Sequence, residues 1–128
     1  MMKGILVLIV GCGGFIGAAT RYIISDFFTR NFKNPIPYGT LIVNVVGAIL
    51  IGFIVQLSLA DLVSPKAKLF ITTGVFGGLT TFSTFSLESI TLITNGKIHL
   101  GILNLFLNLF LSLIGVVIGQ SVAKLIIG

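Results

Sequence analysis

The chain has 128 residues, of which 55 % are hydrophobic and only 9 % charged, and its mean hydropathy is +1.18. A water-soluble domain of this length does not reach such values, so the composition excludes one and points to a protein dissolved in lipid. Eight Lys and Arg against three acidic residues give a net charge of +5, but the cations stand singly or in pairs between apolar runs, which argues for membrane-flank charges and against a nucleic-acid patch.

A membrane-spanning helix takes about 20 mostly apolar residues. Reading from breaker to breaker predicts four of them, at residues 4–28, 38–59, 69–94 and 98–127, in a single transmembrane domain over 1–128 with no soluble part on either side. Apolar stretches recur to the last residue, a pattern unlike a leader followed by a polar chain, so no cleavable segment is expected. The first span holds the lone Cys12, which can form no internal disulfide and reads as a small packing residue. Arg21 falls in its outer half and Asp26 at its far end. After Asn34-Pro35-Ile36-Pro37, the second span places Thr40 and Asn44 one turn apart, on the face of Ala48 and Gly52.

The third span is unlike a lipid-facing helix, because residues 72–86 contain three Gly and seven Ser or Thr. Gly77-Gly78 is predicted to break it. Freed backbone groups are tolerated in a bilayer only where protein or a water-filled cavity satisfies them, and such breaks accompany ion sites. The competing explanation is a helix softened by hydroxyls that bond back to their own carbonyls. The ion site is the preferred of the two. Phe82 and Phe85, three residues apart, share a face if helix resumes there, and Glu88 is the one acidic residue placed well inside a span.

In the fourth span Asn104, Asn108 and Ser112 repeat every four residues and make a polar stripe on a Leu/Ile/Phe helix. Small residues at four-residue spacing, Gly13/Gly17, Ala48/Gly52, Gly74/Gly78 and Gly115/Gly119, are predicted to let helix backbones approach closely. With both termini on one side, Lys3, Lys66, Lys68 and Lys124 face Arg21, Arg30, Lys33 and Lys97 across the membrane. Four against four sets no orientation. Either the count of a small protein is noisy, or the chain inserts both ways and pairs as an antiparallel dimer.

Two polar stripes and a break suggest an aqueous pathway, although an amide or hydroxyl can also simply hold helices together. Its groups are mainly N–H and O–H donors with Arg21 near one mouth, which suits an anion. Aromatic rings carry positive edges, so Phe82 and Phe85 turned edge-on could coordinate one while excluding water.

Three runs carry a resemblance over essentially the whole chain: Gly14-Phe-Ile-Gly17-Ala-Ala-Thr-Arg21-Tyr22, Gly39-Thr40-Leu-Ile-Val-Asn44-Val-Val-Gly47 and Gly74-Val-Phe-Gly77-Gly78-Leu-Thr80-Thr81-Phe82-Ser83-Thr84-Phe85. In this order they resemble the Fluc (CrcB) family of fluoride channels. The resemblance implies an all-α membrane protein of four transmembrane helices, broken in the third, that assembles as an antiparallel, dual-topology homodimer in a bacterial plasma or inner membrane. It implies two fluoride pores and a structural sodium ion at the dimer centre, bound by the backbone carbonyls of Gly77 and Thr80. Asn44 would be the pore amide, Phe82 and Phe85 the ring-edge ligands, and Ser83 and Thr84 hydroxyls beside the path. Arg21 would sit at the foot of a water-filled vestibule, and Glu88 beyond the rings. The derived track also includes Thr40, Asn104, Asn108 and Ser112. This chain departs from the family at Asn104 and Asn108, where members commonly have Tyr and Ser.

A proton-coupled small multidrug exporter also has four short helices, but it needs an acidic residue within the first span, and none stands there before Asp26. A non-transporting accessory subunit would need no break rich in hydroxyls. An enzyme is not expected, since the only histidine, His99, has no acid or nucleophile beside it in sequence.

Overall fold

The computed structural model describes residues 2–128, all of them helical or in short connections, with no strand among the described residues. Among the described residues three helices are long and apolar enough to cross a membrane: α1 (Met2–Asn31), α2 (Tyr38–Leu59) and α6 (Ile98–Ile127). The chain is a multi-pass membrane protein. Between α2 and α6 runs an interrupted segment, composed of α3 (Pro65–Lys68), a π-helix π1 (Leu69–Phe76), α4 (Gly77–Leu79) and α5 (Phe82–Thr94).

The connections follow from local chemistry. Asn34 Oδ1 accepts the Ile36 N–H at 3.1 Å and turns the chain ahead of Pro37, which stands before α2. Leu62 N–H donates to Leu57 O and Asp61 N–H to Ser58 O, a Schellman closure that puts Asp61 at φ 59°. Gly96, at φ 82°, closes α5 in the same way, with Lys97 N–H on Leu92 O. Ser64 caps α3 by accepting the Ala67 N–H at 3.2 Å, with Pro65 in the first turn, where its missing N–H costs nothing.

Packing depends on backbone contact between small residues. A methyl group added at Gly17 would run into the Val75 carbonyl, and one at Gly119 into the Ile49 carbonyl, so α1 lies directly against π1 and α4, and α6 against α2. The closely packed interior is small: Val43, Phe76 and Leu79, flanked by Ile24, Ile51, Ile54, Ile71 and Val75. Most large apolar side chains, such as Leu8, Phe15, Phe106 and Ile118, are exposed on the outside, as lipid-facing residues are.

The interruption differs in place from the predicted one. Gly77 is helical, at φ −62° and ψ −38°, and Gly77-Gly78 belong to α4; the backbone leaves the helix at Thr80 (φ −87°, ψ 155°) and Thr81 (φ −153°, ψ 120°). Gly78 serves close approach instead, because a methyl group there would lie 2.6 Å from the Gly14 carbonyl of α1.

Candidate functional site

The extended pair Thr80-Thr81 is built by side chains that replace helical hydrogen bonds. Asn44 of α2 reaches across, its Oδ1 accepting the Thr81 N–H at 2.8 Å and its Nδ2 donating to the Thr81 carbonyl at 3.1 Å. The Thr81 hydroxyl caps α5 by accepting the Thr84 N–H at 3.1 Å. In an uninterrupted helix those two N–H groups would bond the carbonyls of Gly77 and Thr80. Both are diverted, so neither carbonyl has a hydrogen-bond donor among the described residues. The Gly78 carbonyl, by contrast, accepts from Arg21 Nε at 3.0 Å.

Immediately after the interruption, the first turn of α5 presents Phe82 and Phe85. Their ring centroids are 4.9 Å apart with the planes at 83°, an edge-to-face pair. Phe85 is buried whereas Phe82 is 75 % exposed. Thr81 Oγ1 donates to Thr84 Oγ1 at 2.9 Å, and Ser83 Oγ lies 3.3 Å from Thr81 Oγ1, so hydroxyls gather beside the rings. A cavity of about 340 Å³ opens here. Asn44, Gly77, Thr80, Phe82, Phe85, Asn108 and Ser112 line it, with an apolar wall that includes Ile51, Leu109, Leu113 and Val116.

The two α6 amides continue from Asn44. Asn44 Nδ2 donates to Asn108 Oδ1 at 2.9 Å; Asn108 Nδ2 donates to Asn104 O at 3.0 Å and to Asn104 Oδ1 at 3.2 Å; Asn104 Nδ2 donates to Ser89 Oγ at 2.9 Å. Asn104 and Ser89 are fully buried. A second cavity, of about 270 Å³, is enclosed by the end of α1, residues 34–37 and the start of α2. Thr40 and Glu88 both line it, together with Ser25, Thr29, Lys33 and Tyr38, and the buried Glu88 Oε1 has no hydrogen-bond partner among the described residues.

The residues predicted from sequence therefore fall into four places. Asn44, Gly77, Thr80, Phe82, Phe85, Asn108 and Ser112 share the larger cavity, with Ser83 and Thr84 on the adjoining turn; Thr40 and Glu88 share the smaller one; Arg21 is engaged at Gly78. Asn104 is sealed between Asn108 and Ser89. Back-bonding accounts for Thr72, Thr80 and Ser86, whose hydroxyls donate to carbonyls four residues earlier. Thr81 and Ser89 were not singled out by sequence reasoning. Thr81 stands at the N-cap before Phe82, and Ser89 one turn beyond Phe85, signals that are visible once α5 is placed.

Ring edges and hydroxyl protons offer a small anion several weak donors in a partly apolar cavity. Carbonyl oxygens released from a helix offer a hard cation its preferred ligand. Residues 8–120 match the family described as CrcB-like protein, Camphor Resistance (CrcB). The chain is 58 % identical over 127 residues to the fluoride-specific ion channel FluC of Clostridium perfringens (strain ATCC 13124), covering 98 % of this chain and 99 % of that one. It is also 58 % identical over 127 residues to the protein of that name from Clostridium novyi (strain NT), with the same coverage. Against the FluC of Ruminiclostridium cellulolyticum the identity is 45 % over 129 residues, with 98 % of each chain covered.

Proposed function

The chain belongs to the CrcB-like family, and from that membership we propose that it is a fluoride-selective ion channel that lets fluoride leave the cell passively and so lowers its toxicity. The observation that carries this reading is identity of 58 % over nearly the whole chain to relatives named fluoride-specific ion channels. The chain is thus a channel and not an enzyme. In acidic surroundings hydrogen fluoride enters the cell as the neutral acid and ionises at the higher internal pH, and a passive anion pore returns the fluoride down its electrochemical gradient.

Fluoride is small and strongly hydrated, so the pore must replace its water without holding it too tightly to leave. The edges of Phe82 and Phe85 and the hydroxyls of Ser83, Thr84 and Ser112 form the central stretch of the path in this reading, with Asn44 and Asn108 in its wall and Asn104 behind them. Arg21 supplies positive charge near one mouth, and Thr40 and Glu88 border the exit beyond the rings.

The same reading includes a structural sodium ion, held by the Gly77 and Thr80 carbonyls of two copies. The fit rests on those two oxygens having lost their helical N–H partners to Asn44 and Thr81. A bound cation would offset repulsion between anions and join the copies. The interrupted segment over residues 69–94 is a fourth crossing, and the exposed Phe82 with the apolar wall beside it faces a second copy inserted the opposite way. The balanced Lys/Arg count supports that dual topology. The site of action is the plasma membrane.

Expression in a bacterium deprived of its own fluoride exporter tests the function. Growth in fluoride at acidic pH should be restored, with less fluoride retained by the cells. Unrestored growth from a chain that reaches the membrane would contradict the reading.

A further inference from the structure

The α6 amides do not stand open to an ion. Every side-chain bond in the series points one way, from Asn44 to Asn108, from Asn108 to Asn104, from Asn104 to Ser89, and from Ser89 Oγ to the Phe85 carbonyl at 2.7 Å. Asn44 Nδ2 already donates to Thr81 O and Asn108 Oδ1, and Asn108 Nδ2 to the carbonyl and Oδ1 of Asn104. Asn104 and Ser89 are 0 % exposed and Asn108 2 %. An amide can coordinate an anion only with a donor that is free to face it. By contrast, the Thr84 hydroxyl accepts from Thr81 and its own proton has no acceptor among the described residues, and Ser112 lines the larger cavity with no hydrogen-bond partner there.

The two ends of the series show what it does. One end grips the Thr81 peptide, immediately before Phe82, and the other ends on the carbonyl of Phe85. Both anchor points bracket the single turn that carries the two rings. We infer that Asn108, Asn104 and Ser89 form a buried strut that fixes Phe85 relative to Phe82, acting on fluoride as positioning residues and not as ligands. Fluoride then meets the ring edges and the hydroxyls of Thr84 and Ser112. This rests on the fluoride-channel reading above. Two buried amides in a row suit a strut because each both accepts and donates, so a bond series continues in one direction.

Ser89 is the discriminating position, since it is fully buried and lies at the far end of the series from Asn44. Purified Ser89→Ala, Asn104→Leu and the double variant are reconstituted in liposomes beside the unsubstituted protein. Fluoride flux, fluoride-over-chloride selectivity and thermal stability of each are measured. Ser89→Ala should lower fluoride flux roughly tenfold, as loss of one buried hydrogen bond at the ring turn allows, and should lower selectivity as well. The double variant should be no worse than Asn104→Leu alone, because one cut already releases the strut. Ser89→Cys, of nearly the same size and with only a weak donor, carries the same expectation should Ser89→Ala not fold. If Ser89 variants conduct and select like the unsubstituted protein while Asn104→Leu is blocked, Asn104 is a ligand and the strut is overturned. Loss of thermal stability with selectivity and flux unchanged would also overturn it. An unsubstituted protein that passes no fluoride would instead bring down the channel reading itself.

Discussion

Asn44 and the peptide of Thr81 hold each other by two opposed hydrogen bonds, 2.8 Å from the Thr81 N–H to Asn44 Oδ1 and 3.1 Å from Asn44 Nδ2 to the Thr81 carbonyl. One side chain thereby replaces two helical partners and keeps the chain extended between α4 and α5. Asn44→Asp retains an acceptor for the Thr81 N–H but loses both donors and sets carboxylate oxygen against the Thr81 carbonyl and Asn108 Oδ1. Fluoride flux in reconstituted liposomes should fall at least tenfold, with a loss of about 1–3 kcal/mol in stability from unsatisfied buried groups. Flux near that of the unsubstituted protein would show that the clamp is dispensable.

The edge-to-face geometry of Phe82 and Phe85, 4.9 Å apart, gives the second prediction. Phe82→Ile and Phe85→Ile keep apolar bulk but remove the positive ring edge. Each should depress fluoride flux strongly while the protein still elutes in size-exclusion chromatography at the volume of the unsubstituted protein. Full flux in both variants would remove the rings from the mechanism.

Glu88 lies away from the rings, beside Thr40 in the smaller cavity, with one buried oxygen unpartnered. A passive anion channel needs no titrating carboxylate, whereas a proton-coupled carrier does. Glu88→Gln should therefore keep most of the fluoride flux, measured with and without an imposed pH gradient. Abolished transport in this variant, with both Phe variants active, would favour a carrier.

Close helix contact predicts a contrast between two neighbouring glycines. A side chain at Gly17 meets the Val75 carbonyl and lies 2.8 Å from Leu79 N, whereas one at Gly14 has nothing nearer than the Gly74 carbonyl at 4.0 Å. Gly17→Val should cost about 1–3 kcal/mol or prevent folding, and Gly14→Ala should be tolerated. Comparing the fraction of each variant that stays monodisperse after heating in detergent checks both.

The apolar helices were legible because runs of about 20 hydrophobic residues have no soluble alternative. Asn44, Phe82, Phe85 and Ser112 were legible because polar or paired aromatic residues stand out in such runs. The position of the interruption was not. Gly77-Gly78 carry the local signal for a broken helix, yet both are helical, with Gly78 packed against α1, and Thr80-Thr81 are extended because Asn44, thirty-seven residues from Thr81 in sequence, captures a backbone N–H. Local propensity cannot register a contact of that kind. The π-helix at Leu69–Phe76 was equally hidden, as nothing in Leu-Phe-Ile-Thr-Thr-Gly-Val-Phe distinguishes hydrogen bonds to the fifth residue from those to the fourth. Ser89 escaped notice because its role depends on which face of α5 meets Asn104.

Fluoride efflux from liposomes containing the purified protein, followed with a fluoride electrode after a potassium ionophore releases the electrical constraint, tests the central claim most directly. The same vesicles loaded with chloride serve as the control. Fluoride should leave rapidly and chloride no faster than from protein-free vesicles. Fluoride release at the protein-free rate, or chloride release as fast as fluoride, would contradict a fluoride-selective channel.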